Sequence, residues 1–269
     1  MLDATRWRKP ALHTAYGMTD LLPPSAALFS ELPVYLPEAV AAFGPTIVVA
    51  PHPDDETLGC GGLLALLRQA GLPAWCVLVS DGAMSHPNSR KFSAQARQAL
   101  RTQELRNALA ILGLPGDALH TLGLPDGSVP APETASGAAA VGQLQQFFTA
   151  TQPQTVLVPW RRDPHPDHRA SSQLVRAALA GLATPTRLLE YVVWAWERAA
   201  AHDLPQPGEA QGFQLNISSV LPQKQRALEA HRSQLAGGPI DDDPTGFTLA
   251  PSMLAHFAKP MEVFFQVTT

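Results

Sequence analysis

Cysteine is scarce in this chain. Its 269 residues hold two, Cys60 and Cys76, too few for a disulfide framework and too few for a zinc–cysteine cluster. They read as buried thiols of a cytoplasmic protein. Charge is thin as well, with 16% of residues Asp, Glu, Lys or Arg and a formal net charge of −4. That balance gives no electrostatic reason to expect a nucleic acid or an anionic membrane as partner. Long apolar runs are missing, and none approaches the ~20 residues of an integral membrane segment. The opening MLDATRWRKPALH has basic residues but no apolar core behind them, so no secretory signal is expected. Internal repeats are absent. What remains is a 45% hydrophobic composition with ample length for a proper core, the profile of a globular protein.

The rhythm changes near residue 45. Residues 1–44 are proline-spotted and weakly periodic, and read as an N-terminal arm that packs on the domain through Leu28, Phe29, Leu32 and Tyr35. Residues 45–269 read as one α/β domain in which strands alternate with helices. TIVVA, AWCVLVS and TVLVP are short β-branched runs suited to buried strands, RLLEYVVWAW reads as a longer one, and MEVFFQV as the last. Helical spacing covers 57–70, then a helix capped by Ser93 and running to Leu112, then GAAAVGQLQQFFTAT, HRASSQLVRAALAGL and 224–235. LGLPDG turns the chain, and 205–212 and 237–246 are loops by composition. The expected fold is a Rossmann-like three-layer sandwich, a mostly parallel sheet with helices on both faces.

The stretch TIVVAPHPDDETLGCGG joins the first strand to its helix, and three readings compete for it. Acids near a helix start can simply serve the macrodipole, but three in a row beside a proline-flanked histidine exceed that need. A dinucleotide loop would use Gly59 and Gly61, with Asp81 about 20 residues further on. Leu64 stands where the third glycine should be, and carboxylates at the helix mouth would repel a pyrophosphate. The glycines fit better as places where the helix lies close to the sheet. A metal site uses the same residues positively, since a histidine and an acid three apart across a turn can reach one cation. Side chains at the carboxyl end of a parallel strand point into the crevice where α/β folds place their sites. A second cluster, PWRRDPHPDHRAS, follows TVLVP, with His165 and His168 again at a strand-to-helix switch. Together the two clusters can supply the three protein ligands and open position of a catalytic metal.

APHPDDE followed by DPHPDHR resembles the signature of the zinc-dependent PIG-L/LmbE-like deacetylases. That family includes N-acetylglucosaminyl-phosphatidylinositol de-N-acetylases and sugar deacetylases of bacterial thiol biosynthesis. The likeness spans about residues 45–235, through LVSDGAMSHPNS, RTQELRNALAILGL, LGLPDG and KQRALEAHRSQ in order, and leaves the arm outside. It implies Zn²⁺ held by His52, Asp55 and His168, and Asp54 as the general base for an attacking water. It implies that His165 faces the oxyanion or protonates the leaving amine, with Asp167 orienting its ring. Glu56 is then either a residue that supports the site from behind the ligands or a helix-start acid, without a catalytic part. Asp126 is either a turn acid or an acceptor for a sugar hydroxyl, and Arg90 either a solvated arginine or a substrate grip. Trp194 and Trp196, expected on one strand face, are core residues or a sugar platform; His231 and Gln234, expected on one helix face, support the pocket.

The function implied is removal of an acetyl group from an N-acetylated amino sugar or related small molecule by zinc-activated water. A non-catalytic sugar- or dinucleotide-binding module on the same fold is the alternative, although such a module needs no base. A zinc phosphoesterase would carry more carboxylates and a second ligand cluster. No expectation of oligomeric state follows.

Overall fold

The computed structural model describes residues 24–267, so the first 23 residues of the expected arm lie outside the described residues. Strand β1 is Val34–Tyr35, β2 Thr46–Ala50, β3 Ala74–Ser80, β4 Leu119–Leu124, β5 Thr155–Pro159, β6 Arg187–Tyr191, β7 Ala210–Asn216 and β8 Met261–Val267. They form one sheet in the order β1-β7-β8-β6-β5-β2-β3-β4. Strand β8 runs antiparallel to β6 and β7, and the other neighbours pair in parallel.

Period-two alternation along the strands divides the core into two faces. Val48, Ala50, Cys76 and Leu78 pack with Leu63 and Leu67 of α2 (Asp55–Gln69) and Leu105 and Leu109 of α3 (Ala94–Ile111). Ile47, Val49, Val77 and Val79 pack instead with Leu144 and Phe148 of α4 (Ala135–Thr151) and Leu174 and Val175 of α5 (Pro166–Ala180). This is the expected three-layer arrangement. Ser93 caps α3 as the sequence indicates, its side chain accepting the Ala96 N–H. Helix α6 (Leu221–Ala230) lies against α2 and α3. The glycines of α2 serve close packing: a Cβ on Gly62 would lie 2.6 Å from Ile217, and one on Gly59 would overlap the Tyr191 ring.

The topology decides where a site can form. After β2 the chain builds β3 and β4 on one side, then returns to add β5 and β6 on the other. Strands β2 and β5 are neighbours whose connections leave in opposite directions, so a crevice opens beyond their carboxyl ends.

Several expectations fail in detail. Strand β6 stops at Tyr191, where its pairing with β5 ends at Pro159 and with β8 at Phe264, and the chain turns into a 3₁₀ helix at Trp194–Trp196. The two tryptophans therefore diverge. Trp196 meets Phe29 edge-on at 4.8 Å, whereas Trp194 turns toward His165 and Phe247. The segment 205–212 is a loop only in part, because β7 begins at Ala210 and pairs along its whole length with β8. The helix expected over 224–235 ends at Ala230, followed by a 3₁₀ turn at Arg232–Gln234, so His231 and Gln234 share no α-helical face. LGLPDG contains the end of β4, and α7 (Pro251–Phe257) follows the 237–246 loop. The described part of the arm joins the sheet: α1 (Pro24–Ser30) buries Phe29 in the core, and β1 extends the sheet beyond β7. Tyr35 is not buried; it is 46% exposed and stacks on Phe213.

Candidate metal centre

The chain leaves β2 through Pro51, His52 and Pro53 and enters α2 at Asp55, with Asp54 as the residue before the first helical turn. Asp54 has φ 136°, in the positive range that L-residues rarely adopt, and it is one of two described non-glycine residues there. Its carbonyl accepts the N–H groups of Thr57 and Leu58, which starts the helix. Such a conformation persists only where the surroundings over-determine it, and it is typical of functional sites. The carboxylate is buried, with Arg101 Nη2 3.5 Å from Oδ2.

The second cluster follows β5. His165 caps α5, its Nδ1 accepting the Asp167 N–H at 3.2 Å, and His168 enters on the first turn. Residues more than a hundred positions apart converge here. Ring centroids lie 4.7 Å apart for His52 and His165, 5.4 Å for His52 and His168, and 5.0 Å for His165 and His168. Asp55 Oδ2 is 3.2 Å from both His52 Nδ1 and His168 Nε2. His52 Nε2 in turn lies 3.1 Å from Asp167 Oδ2 and 3.3 Å from Asp126 Oδ1. Among the described residues, two sets of potential ligand atoms are compact enough to hold one ion, His52 with His165 and His168, and His52 with Asp126 and Asp167.

Burial and charge shape the titration of these groups. Burial pushes the Asp54 carboxyl up to about 7, against the opposing pull of Arg101. Burial likewise lowers His165 to about 3, helped by the neighbouring His168 and His52 rings. For His168 burial works downward, but the Asp55 and Asp163 carboxylates override it and raise the ring to about 9. His52 is also raised, as Asp126, Asp167 and Asp55 outweigh its burial. These last two rings are therefore held by carboxylates on more than one side, the electrostatic setting of a cation site.

The donor set fits a zinc ion. His168 is fully buried, yet neither ring nitrogen has a hydrogen-bond partner of proper geometry, although Asp55 and Asp163 lie 3.2 and 3.3 Å away. A buried imidazole without hydrogen bonds is costly unless something else occupies its lone pair. Two imidazoles and a carboxylate are suitable zinc ligands, and second carboxylates behind the rings are the usual support of metal-bound histidine.

Of the residues singled out in the sequence, His52, Asp54, Asp55, Asp126, His165, Asp167 and His168 come together. Arg90 does not; it is exposed, and its main-chain N–H donates to Asp242. Asp167 meets a ring nitrogen of His165 through its main-chain N–H, while its carboxylate faces His52 Nε2 and accepts the N–H groups of Gly127 and Val129. Sequence reasoning passed over two residues. Arg101 reaches from α3 to donate to the Pro53 and Gly82 carbonyls, both at 2.9 Å. Asp163 accepts the N–H groups of His165 and Trp194 and lies behind His168.

Fold and cluster together define a doubly wound α/β protein with a histidine–carboxylate cluster able to hold a metal ion at the switch point of its sheet. Residues 47–179 match the family described as PIG-L: GlcNAc-PI de-N-acetylase. A Bacillus subtilis protein named probable N-acetyl-alpha-D-glucosaminyl L-malate deacetylase 2 is 30% identical over 194 residues, covering 71% of this chain and 83% of that one. An Actinosynnema mirum 1D-myo-inositol 2-acetamido-2-deoxy-alpha-D-glucopyranoside deacetylase is 29% identical over 226 residues, with 70% and 80% covered. The crystal structure of the conserved protein TT1542 from Thermus thermophilus superposes with a TM-score of 0.54 at 34% identity, covering 72% of this chain and 81% of that one. The chain belongs to the PIG-L family of de-N-acetylases.

Proposed function

We propose that this protein is a zinc-dependent deacetylase that hydrolyses the acetamide of an N-acetylated amino sugar or a related small molecule. His52, Asp55 and His168 would hold the metal. Zinc bound there would supply Lewis acidity, polarising the acetamide carbonyl and acidifying a water. Asp54, with its carboxyl near 7, takes the proton from the attacking water as the new C–O bond forms. The same carboxyl can return the proton to nitrogen as the C–N bond breaks, giving acetate and a free amine. The Asp167 N–H donates to His165 Nδ1, so the neutral ring carries its proton on Nε2. With its pKa lowered to about 3, His165 suits hydrogen-bond donation to the developing oxyanion better than protonation of the amine.

Asp167 acts mainly on His52, holding its ring through Nε2. Asp126, whose Oδ1 lies 3.3 Å from His52 Nε2 and whose Oδ2 accepts the Met84 N–H, would accept a sugar hydroxyl. Arg90, on the outer loop, would meet the part of the substrate furthest from the acetamide. Among the described residues no helix is long and apolar enough to cross a membrane, and both cysteines are buried and free. A cytoplasmic enzyme acting on a small-molecule substrate accords with both.

The convergence of His52, Asp55 and His168 beside a buried carboxyl poised near neutrality carries this reading. Acetate released from a panel of N-acetylglucosaminides by zinc-loaded wild type and Asp54→Ala tests it. The wild type should release acetate, and the variant should be about 10²- to 10⁴-fold slower. Equal rates would remove Asp54 as the base. A zinc-bound wild type that releases acetate from no member of the panel would favour the binding-module alternative.

A further inference from the structure

Glu56 has no part in the chemistry above, yet it is fully buried at the start of α2. A helix-start acid serving the macrodipole would do as well in solvent. Its carboxylate works on two sides. Oε2 accepts the main-chain N–H of Asp54 at 3.1 Å, while Oε1 lies 3.1 Å from His231 Nε2 and accepts the Thr57 hydroxyl. The opposite edge of the same peptide is held too, by Arg101 Nη2 donating to the Pro53 carbonyl at 2.9 Å. The Pro53–Asp54 peptide is thus gripped at both its C=O and its N–H, immediately before the residue whose φ is 136°.

His231 reaches Glu56 from another part of the chain. It ends α6, is fully buried, and sits just before the 3₁₀ turn. That turn is itself fixed to α3, since Ser233 donates its N–H and hydroxyl to Glu104 at 2.8 and 2.6 Å. A line of buried polar contacts therefore runs from α3 through the turn and His231 to Glu56, ending on the main chain of Asp54.

We infer that Glu56 and His231 are positioning residues that hold the Pro53–Asp54 peptide in its positive-φ conformation and so aim the Asp54 carboxylate. The inference rests on the reading of Asp54 as the base. Neither residue touches substrate or metal in this scheme. Losing either should slow turnover without weakening substrate binding or zinc retention.

The test compares Glu56→Ala, Glu56→Gln and His231→Ala with wild type, using the N-acetylglucosaminide that wild type turns over best. Glu56→Ala should lower kcat about 10- to 100-fold, as loss of supporting hydrogen bonds does at metal sites, with KM and bound zinc little changed. Glu56→Gln keeps an acceptor for the Asp54 N–H and should recover most of the loss. Combining Glu56→Ala with His231→Ala should cost little more than the worse single change, because the two act as one unit. Independently of turnover, hydrogen exchange of the Asp54 amide in the metal-free protein should quicken about tenfold or more in Glu56→Ala. If Glu56→Ala does not fold, His231→Ala decides by the same readouts. A folded variant with wild-type kcat and unchanged exchange would overturn the inference, as would a loss confined to KM or zinc content. An active Asp54→Ala would instead overturn the base assignment, leaving the exchange result to judge the clamp alone.

Discussion

Two glycines in helix interiors should respond to alanine with opposite signs. Gly59 lies in α2, where an added Cβ would stand 2.7 Å from Tyr191 Cε2 and closer still to Cδ2. Tyr191 cannot swing away, because its ring is fully buried and its hydroxyl donates to the Val49 carbonyl at 2.8 Å. Overpacking of a rigid neighbour falls at the upper end of ~1–3 kcal/mol. The helix gains ~1 kcal/mol when alanine replaces glycine, leaving a net destabilisation of about 2 kcal/mol. Gly142 lies in α4 with nothing within 4 Å of its built Cβ, so only the propensity gain applies there. Urea unfolding should therefore rank Gly142→Ala above wild type and wild type above Gly59→Ala. At ~2–4 °C per kcal/mol for a chain of this size, Gly59→Ala should melt about 4–8 °C lower. A Gly59→Ala protein as stable as wild type would refute the claim that this glycine exists to bring α2 onto β6.

Other consequences follow from buried charge. Lys224 Nζ donates to Glu262 and to the Leu58 carbonyl, while Glu262 accepts the Gly62 and Leu63 N–H groups, so this buried pair is inserted into the backbone of α2. Lys224→Met strands Glu262 and should cost about 3–5 kcal/mol in chemical denaturation. The Asp54 carboxyl titrates near 7 in the folded chain and near 4 unfolded, so its ionisation favours unfolding. Metal-free Asp54→Asn should match wild type in stability below about pH 4, with its advantage opening between about pH 4 and 7 and then levelling. A gap that instead widens toward acid would contradict the assigned shift. In activity, the acid limb of the wild-type kcat profile should follow the ionisation of Asp54 and be missing from the residual rate of Asp54→Asn. His168→Ala should lose the bound metal, read by elemental analysis after dialysis, because it removes a fully buried imidazole beside Asp55.

The parallel layers were legible because β2, β3 and β5 are short apolar runs, buried along nearly their whole length and bounded by turn residues. YVVWAW misled for a related reason. A run apolar at every position has no alternation to mark where pairing with β5 and β8 ends, and Val193 is as buried as a strand residue. Strand β7 hides in AQGFQLN, whose first three residues read as the end of a loop but whose backbone pairs with β8 along its whole length. At the site, the histidines and acids after β2 and β5 stand in tight local clusters, so their types and spacing announced them. Asp163, two residues before His165, could have been included on the same ground. Arg101 offered no such signal, since an arginine on a long helix reads as a solvated side chain until α3 is placed beside Pro53 and Gly82. The second contact of Asp167 was not legible, because adjacency to His165 in sequence says nothing of the Gly127 and Val129 N–H groups that hold its carboxylate beside His52.

One ion should support one reaction, and titration of the metal-free protein with zinc while acetate release is recorded measures both at once. The chelated chain should release no acetate, and the rate should climb linearly to a plateau at about one equivalent of zinc. Full-rate release from the chelated chain would contradict it, as would zinc bound at one equivalent without any acetate.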